Sequence, residues 1–231
     1  MLINIQNISK YYENSTTNIR RDVLKDISLQ IKHGDSLAIV GPSGSGKSTL
    51  LNISGTLDAP SSGKVYLNGE EFNLLNNNQL SEIRNRKIGF VFQMHHLLPQ
   101  LNLLENVLLP TLPIKDKSYK NAAQKRAMDL LHSVSLADKI HQRPGQMSGG
   151  ECQRAAVIRA LINQPELILA DEPTGSLDKE SAGHLAEILG KLNKDFNVAL
   201  VLVTHSLELA QKMETVYELS DGHLILKNSQ I

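Results

Sequence analysis

Hydrophobic and polar residues alternate along the first part of the chain. The hydrophobic positions that show this period of two are Ile3, Ile5, Ile8, Ile27, Leu29, Ile31, Leu37 and Ile39. Such alternation is typical of strands that bury one face and leave the other polar. Polar breaks at 13–18 and 33–35 divide the region into three segments. The pattern therefore predicts that the fold begins with a run of β-strands.

After this region, strand and helix patterns follow one another. The third strand, SLAIV, leads into a glycine-rich turn, and a helical pattern starts near Gly46. A short strand at 64–67 ends in an Asn-Gly turn, and a helical pattern at 79–86 precedes an apolar strand at 88–92. Strand, glycine turn and helix in this order favour a fold built from βαβ units.

The middle of the chain differs in composition from both ends. From about 94 to 146, Leu and Ala dominate and Pro occurs only at breaks, which predicts helices inserted between the sheet elements. Strand and helix alternate again after Gly149, where the segments LILA and VALVLV are apolar without alternation. Strands of that kind are typical of parallel sheets covered on both faces. We therefore predict an α/β fold with a β-rich N-terminal part and an inserted helical subdomain.

Charge and cysteine content exclude several classes of protein. The 24 Lys and Arg residues balance 24 Asp and Glu residues, so a nucleic-acid partner is disfavoured. A single cysteine, Cys152, excludes an intrachain disulfide and fits a reducing cytosol. The N-terminus lacks a basic region followed by an apolar block, and the longest stretch without charged residues, 88–104, is rich in Gln, His and Asn. We expect neither a targeting segment nor a membrane span.

Residues 41–48 read GPSGSGKS and match the phosphate-binding pattern G-x-x-x-x-G-K-[ST] between a predicted strand and a predicted helix. The glycines let backbone N–H groups surround a phosphate, and the helix N-terminus adds its positive dipole end. Lys47 would reach the terminal phosphates, and the Ser48 hydroxyl would bind Mg²⁺. The residues predicted to contact the nucleotide here are Gly41, Pro42, Ser43, Gly44, Ser45, Gly46, Lys47, Ser48 and Thr49.

Two carboxylates follow the apolar strand LILA. Asp171 and Glu172 would lie at the carboxyl edge of a parallel sheet, where such folds bind ligands. Asp171 would hold Mg²⁺, directly or through water, and Glu172 could act as the general base or as the group that positions water for attack on a γ-phosphate. Taken alone, the pair could equally cap the following turn. The phosphate-binding loop elsewhere in the chain favours the catalytic interpretation.

The segment MSGGE opens another predicted helix and offers a second anion site. Taken alone, Ser148 and Glu151 form a capping box, which is the favoured interpretation of that pattern. A second interpretation gives both phosphate-type sites a role in nucleotide binding, although they lie far apart in the sequence. Two copies of the chain could face each other head to tail, each presenting Ser148, Gly149 and Gly150 to the ATP held by the other.

In this order, the motifs resemble those of the ATP-binding-cassette ATPases over essentially the whole chain. They are GPSGSGKST (Walker A), Gln93 in GFVFQ, MSGGE (signature), LILADE (Walker B), Ser176, Leu177 and Asp178 (D-loop), and His205 in VTHS. The resemblance implies one P-loop NTPase domain over 1–231. It also implies a RecA-like core at about 1–93 and 164–231 and a helical signature subdomain at about 94–163.

The resemblance further implies roles for individual residues. Tyr12 would stack on adenine, although Tyr11 competes for that role because adjacent strand residues face opposite sides. Gln93 would lie near Mg²⁺ and the coupling surface, His205 would contact the γ-phosphate, and Asp178 would act across a dimer. The implied catalytic residues are Lys47, Gln93, Glu172 and His205. The implied Mg²⁺ ligands are Ser48, Gln93 and Asp171.

Longer stretches of the sequence resemble one subgroup of this family. RNRKIGFVFQMHHLLPQLNLLENVLLP and the signature region look like the ATPase subunit of lipoprotein-releasing systems, despite Met147 where the family usually has Leu and Glu151 where it commonly has Gln. This implies an ATP-dependent homodimer on the cytoplasmic face of the inner membrane, attached to FtsX- or LolCE-like permeases. The alternative is the ATPase of a macrolide- or peptide-export or cell-division signalling complex.

Two further expectations concern surfaces. The apolar segment 94–110 is expected to offer a groove, through Leu97 or Leu98, to a helix of the membrane partner; plain core packing is the alternative. Cys152 is expected near the dimer interface, with its thiol pKa lowered by the helix dipole; a buried, inert thiol is the alternative.

Overall fold

Two β-sheets and seven α-helices make up the part of the chain that the computed structural model describes, residues 1–13 and 20–229. The strands are β1 Ile3–Glu13, β2 Arg20–Ile31, β3 Ser36–Val40, β4 Ser62–Leu67, β5 Glu70–Glu71, β6 Ile88–Val91, β7 Leu167–Asp171, β8 Ala199–Val203, β9 Thr215–Ser220 and β10 His223–Ser229. The helices are α1 Lys47–Ser54, α2 Asn77–Lys87, α3 Leu103–Leu108, α4 Lys117–Ser133, α5 Gly149–Leu161, α6 Lys179–Phe196 and α7 Leu207–Ala210.

The third alternating N-terminal segment, SLAIV, forms β3 of the larger sheet, whereas the first two form β1 and β2 of the smaller sheet. Its order is β2-β1-β4-β5, and all its pairs are antiparallel. The turn between β4 and β5 places Asn68 and Gly69 in the left-handed region, with φ of 51° and 84°. An Asn-Gly pair suits this turn because both residues tolerate positive φ. The predicted run of strands is confirmed.

The larger sheet positions the chemistry. Its order is β10-β9-β3-β8-β7-β6, and every pair except β9 with β10 is parallel. The residues of β8 are buried throughout and those of β7 as far as Ala170, which explains why the segments VALVLV and LILA show no alternation. Asp171 pairs with Val203, which also lies beside Ile39. The carboxyl ends of β3, β7 and β8 therefore meet at one edge, as the predicted α/β fold requires.

Each face of the larger sheet has its own core. The smaller sheet and α1 pack against one face. Helices α4, α5 and α6 pack against the other, where Val40 and Val91 share a cluster with Leu103 and Leu131. Residues 92–166, all of which the structure describes, contain α3, α4 and α5 and no strand. Because that cluster draws on both parts of the chain, the division near 93 and 163 stays a prediction.

Within the described residues, no helix is both long enough and apolar enough to cross a bilayer.

Candidate functional site

The P-loop joins the end of β3 to the start of α1. Gly46 is the N-cap of α1 at φ 103°, and a Cβ there would come within 2.9 Å of the Val23 side chain on β2. Gly41 has φ 154°, and a Cβ there would approach the Leu219 carbonyl oxygen to 2.2 Å. Only glycine fits these two positions, because both the backbone angle and the space exclude a side chain. The loop is therefore held close against β2 and β9.

Lys47 lies buried at the start of α1. Its Nζ donates hydrogen bonds to the carbonyl oxygens of Gly41 at 2.8 Å and Pro42 at 3.0 Å. The ammonium group is thus held inside the loop by two neutral acceptors. A phosphate oxygen is a stronger, charged acceptor for the same group. The lysine is therefore placed to bind an anion that enters the loop.

A cavity of about 610 Å³ opens in front of the loop. Three parts of the fold supply its walls: the P-loop, the edge of the smaller sheet and the carboxyl edge of the larger sheet. The lining residues are Tyr12, Arg21, Val23, Ser43, Gly44, Gly46, Lys47, Ser48, Thr49, Gln93, Glu172 and His205. Arg21 and Val23 were not predicted from the sequence, where they belong to a strand without a recognisable motif.

Asp171 ends β7 with one carboxylate oxygen unpaired. Its Oδ1 is buried and has no hydrogen-bond partner among the described residues. Burial and the charge of Glu172 raise the pKa of Asp171 above its usual value, against the influence of the nearby Ser48 hydroxyl and Lys47 ammonium. The unpaired carboxylate oxygen of Asp171 and the hydroxyl oxygen of Ser48 are hard ligands of the kind that Mg²⁺ prefers. Both residues therefore fit the predicted metal site.

Glu172 turns away from the sheet directly after β7. Its backbone N–H donates to the Val203 carbonyl oxygen at 2.8 Å, and its φ of 46° is in the left-handed region. Oε2 accepts hydrogen bonds from Thr204 Oγ1 at 3.2 Å and from the His205 backbone N–H at 3.3 Å, and lies 2.9 Å from His205 Nδ1. The structure thus brings two predicted catalytic residues together. Thr204 was missed, although a polar residue closing the apolar strand VALVLV was a usable signal.

Gln93 reaches the cavity from the segment after β6. A Cβ on Gly175 would lie only 2.9 Å from Gln93 Nε2, so the glycine permits a close approach of the two segments. The Gln93 carbonyl oxygen also accepts a hydrogen bond from Ser176 Oγ at 3.1 Å. Gln93 therefore contacts both the cavity and the predicted D-loop.

The two tyrosines that competed for the adenine position lie in different surroundings. Tyr12 lines the cavity and is 46% exposed. The Tyr11 ring is instead stacked under the Arg20 guanidinium, whose Cζ is 3.9 Å from the ring centroid. Tyr12 is therefore the tyrosine that a nucleotide in this cavity can reach.

The signature residues and Asp178 lie elsewhere on the chain. Ser148 Oγ accepts a hydrogen bond from the Glu151 N–H at 3.3 Å, and Glu151 Oε2 accepts one from the Ser148 N–H at 2.8 Å. This is the capping box that the sequence predicted. Asp178 caps α6 through Ser181. The described residues that line the cavity do not include Ser148, Gly149, Gly150 or Asp178.

The prediction of a lowered pKa for Cys152 is wrong. The residue is 2% exposed, and burial together with the charge of Glu151 raises its thiol pKa. A helix N-terminus favours a thiolate, but removing the thiolate from water costs more. The structure favours the alternative of a buried thiol.

Comparison with known proteins agrees with this geometry. A family model described as "ABC transporter" matches residues 24–175. The "Lipoprotein-releasing system ATP-binding protein LolD" of Pseudoalteromonas translucida (strain TAC 125) is 44% identical over 230 residues, which are 100% of this chain and 97% of that protein. The protein of the same name from Francisella tularensis subsp. holarctica (strain OSU18) is 43% identical over 226 residues, 98% of this chain and 96% of that protein.

Solved structures show the same fold. The structure described as "Dimeric Structure of MJ0796, a Bacterial ABC Transporter Cassette" is 39% identical with a TM-score of 0.88, and the match covers 100% of this chain and 99% of that one. A second structure of the same cassette, "bound to ADP and Pi", is 38% identical with the same TM-score and the same coverage. From its family match, its full-length relatives and its P-loop cavity, we conclude that the chain belongs to the ABC transporter family.

Proposed function

We propose that the chain is the ATP-hydrolysing subunit of an inner-membrane transporter that releases lipoproteins toward the outer membrane. The observation that carries the ATPase activity is the cavity itself, because one opening joins a buried P-loop lysine to a carboxylate and a histidine from neighbouring strand ends. The assignment to lipoprotein release rests on the two full-length relatives named for that system. Those names favour it over macrolide or peptide export and over cell-division signalling.

Different residues of the chain bind the phosphates, hold the metal ion and activate the attacking water. The P-loop N–H groups and Lys47 bind the β- and γ-phosphates of ATP. Asp171, Ser48 and Gln93 would hold Mg²⁺, which neutralises charge on the phosphate oxygens when bound. Glu172 orients the attacking water and accepts its proton, while His205 donates a hydrogen bond to the γ-phosphate. Contacts with His205 and Thr204 keep the Glu172 carboxylate at the cavity.

We further propose that the site is completed by a second copy of the chain. Ser148, Gly149, Gly150 and Asp178 are exposed or half-buried at helix N-termini away from the cavity, and the related cassette is described as dimeric. In a head-to-tail homodimer these groups would face the ATP held by the partner.

The membrane partners are proposed to be FtsX- or LolCE-like permeases that hold the chain at the cytoplasmic face of the inner membrane. Co-expression with a candidate permease pair and purification in detergent tests this. We expect the chain to co-purify and to drive ATP-dependent release of a lipoprotein from proteoliposomes. If ATP hydrolysis were coupled instead to export of a macrolide or peptide, the alternative function would be correct and lipoprotein release would be wrong.

The segment after Gln93 offers one specific contact for such a partner. Leu98 is 42% exposed, whereas Leu97 is 6% exposed and belongs to the core. Asn106 holds the segment in place, since its amide bonds the Leu98 backbone N–H at 2.7 Å and carbonyl oxygen at 3.1 Å. The two leucines, although adjacent, therefore have different surroundings.

We predict that Leu98→Glu yields soluble protein with normal ATP binding but without stimulation by, or assembly with, the membrane subunits. Leu97→Glu should destabilise the isolated chain, because it buries a carboxylate without a partner. Thermal unfolding and co-purification measure the two effects. Leu112→Glu, at another exposed leucine, is the control and should assemble normally. Normal assembly of Leu98→Glu would mean that the contact lies elsewhere.

A further inference from the structure

Tyr12 is held in place at two points by residues that the preceding mechanism does not use. Its hydroxyl donates a hydrogen bond to Asp58 Oδ2 at 2.8 Å. Lys10 Nζ lies 4.9 Å from the centroid of the Tyr12 ring and donates to Asp58 Oδ1 at 2.7 Å. The same ammonium group donates to the Ala59 carbonyl oxygen at 2.8 Å. Lys10, Tyr12 and Asp58 thus form one connected group, which we call the tyrosine clamp.

The hydrogen bonds and opposite charges of the tyrosine clamp outweigh the effect of its partial burial. The side chain of Lys10 is 11% exposed and that of Asp58 is 30% exposed, so the ion pair is partly removed from water. Burial would raise the pKa of Asp58, but hydrogen bonds from Lys10, Tyr12 and the Ala59 N–H hold it below its usual value. Burial and the contact with Asp58 raise the pKa of Tyr12. At neutral pH the Asp58 carboxylate therefore accepts the hydrogen bond that the Tyr12 hydroxyl donates.

The clamp joins two parts of the nucleotide cavity. Lys10 and Tyr12 belong to β1, whereas Asp58 lies in the segment that follows α1, the helix that the P-loop opens. The P-loop determines where phosphates bind, and Tyr12 lies on another wall of the same cavity. A link from the end of α1 to Tyr12 therefore helps to set the position of the ring relative to the phosphate site.

We propose that Asp58 and Lys10 are positioning residues that orient the Tyr12 ring for the base of ATP before the nucleotide arrives. An unrestrained tyrosine on an exposed strand end loses rotamer freedom when a base stacks on it, and that loss weakens binding. A ring already held at its hydroxyl and by a cation beside it avoids that cost. This proposal rests on the proposed function, in which the bound nucleotide is ATP.

The test separates the base from the phosphates. Affinities for ATP and for inorganic tripolyphosphate are measured by calorimetry with Mg²⁺ on the full chain. For Asp58→Ala we expect ATP to bind about three- to tenfold more weakly, a part of the effect of losing a base–aromatic stack. Tripolyphosphate, which has no base, should bind unchanged. Glu71→Ala removes a comparable ion pair, with Lys64 at 3.0 Å in the same sheet, and should change neither affinity.

Two further variants distinguish orientation of Tyr12 from general support of the fold. Tyr12→Phe removes only the hydroxyl and should weaken ATP binding to a similar degree as Asp58→Ala. In the Tyr12→Phe background, Asp58→Ala should have a smaller effect than in the wild type, because the bond to the ring hydroxyl is already gone and only the contact with Lys10 remains. Should Asp58→Ala not fold, Asp58→Asn and Tyr12→Phe serve for the same comparison.

Several outcomes would overturn the proposal. Equal weakening of ATP and tripolyphosphate would place the effect of Asp58 in the phosphate site, and unchanged ATP affinity would remove its role altogether. Fully additive effects of Asp58→Ala and Tyr12→Phe would show that Asp58 does not act through the hydroxyl. A wild-type chain that bound neither ligand would instead contradict the proposed function, so the two failures differ.

Discussion

Glu172→Gln should lower the turnover of ATP by roughly 10²–10⁴-fold while leaving ATP binding nearly intact. Glutamine has the same shape, and its amide oxygen can still accept the hydrogen bonds from Thr204 Oγ1 and the His205 N–H. It cannot take a proton from water, however. The loss is therefore confined to the chemical step. Steady-state phosphate release and nucleotide titration measure the two quantities separately.

The same variant should accumulate an ATP-bound dimer, because binding continues and hydrolysis no longer separates the copies. Gel filtration with ATP and Mg²⁺ detects this change in size. Glu187→Gln, at an exposed position of α6, is the matched control. It should hydrolyse ATP at the normal rate, and without nucleotide it should elute as a monomer. If Glu172→Gln retained near-normal turnover, Glu172 would have no part in the reaction.

Lys47→Ala should lose affinity for ATP itself, by roughly 10- to 100-fold, the usual value of a hydrogen bond to a charged group. In the free protein Lys47 bonds the Gly41 and Pro42 carbonyl oxygens, so the alanine variant also leaves two loop acceptors without that donor. Titration with a fluorescent ATP analogue measures the affinity, and thermal unfolding checks the fold.

Lys194→Ala, at an exposed position of α6, removes an equal charge far from the P-loop motif and should bind ATP normally. The two catalytic variants thus have opposite signatures, since Lys47→Ala fails in binding and Glu172→Gln fails in turnover. A Lys47→Ala protein that bound ATP as tightly as the wild type would show that the backbone N–H groups alone hold the phosphates.

The parts of the site that are local in sequence could be predicted from it. The P-loop is one continuous segment between a strand and a helix, and Asp171 with Glu172 directly follows an apolar strand. Parallel strands bring such ends to one edge, so their neighbourhood follows from the fold class. The capping box at Ser148 is equally local, because it involves residues three apart on one helix.

The remaining features depend on contacts between distant segments. Whether Tyr11 or Tyr12 faced the cavity could not be read from alternation, because β1 has an irregular register between Lys10 and Tyr11 that changes which side each residue faces. The bond from Tyr12 to Asp58 joins residues with no common motif. For Cys152, the position at the start of a helix predicted a lowered thiol pKa, whereas burial between distant segments raises it.

The left-handed backbone of Glu172 bears on how this protein can be made more stable. A residue with a side chain in that region carries a cost of about 1–3 kcal/mol, which glycine would avoid. Glycine at 172 would relieve that backbone cost, but it would also delete the carboxylate and the hydrogen bonds that it accepts from Thr204 Oγ1 and the His205 N–H. Relief of backbone strain alone thus favours glycine at this position, whereas the proposed role as general base requires glutamate. An engineering search for stabilising substitutions should therefore exclude residue 172 from the start.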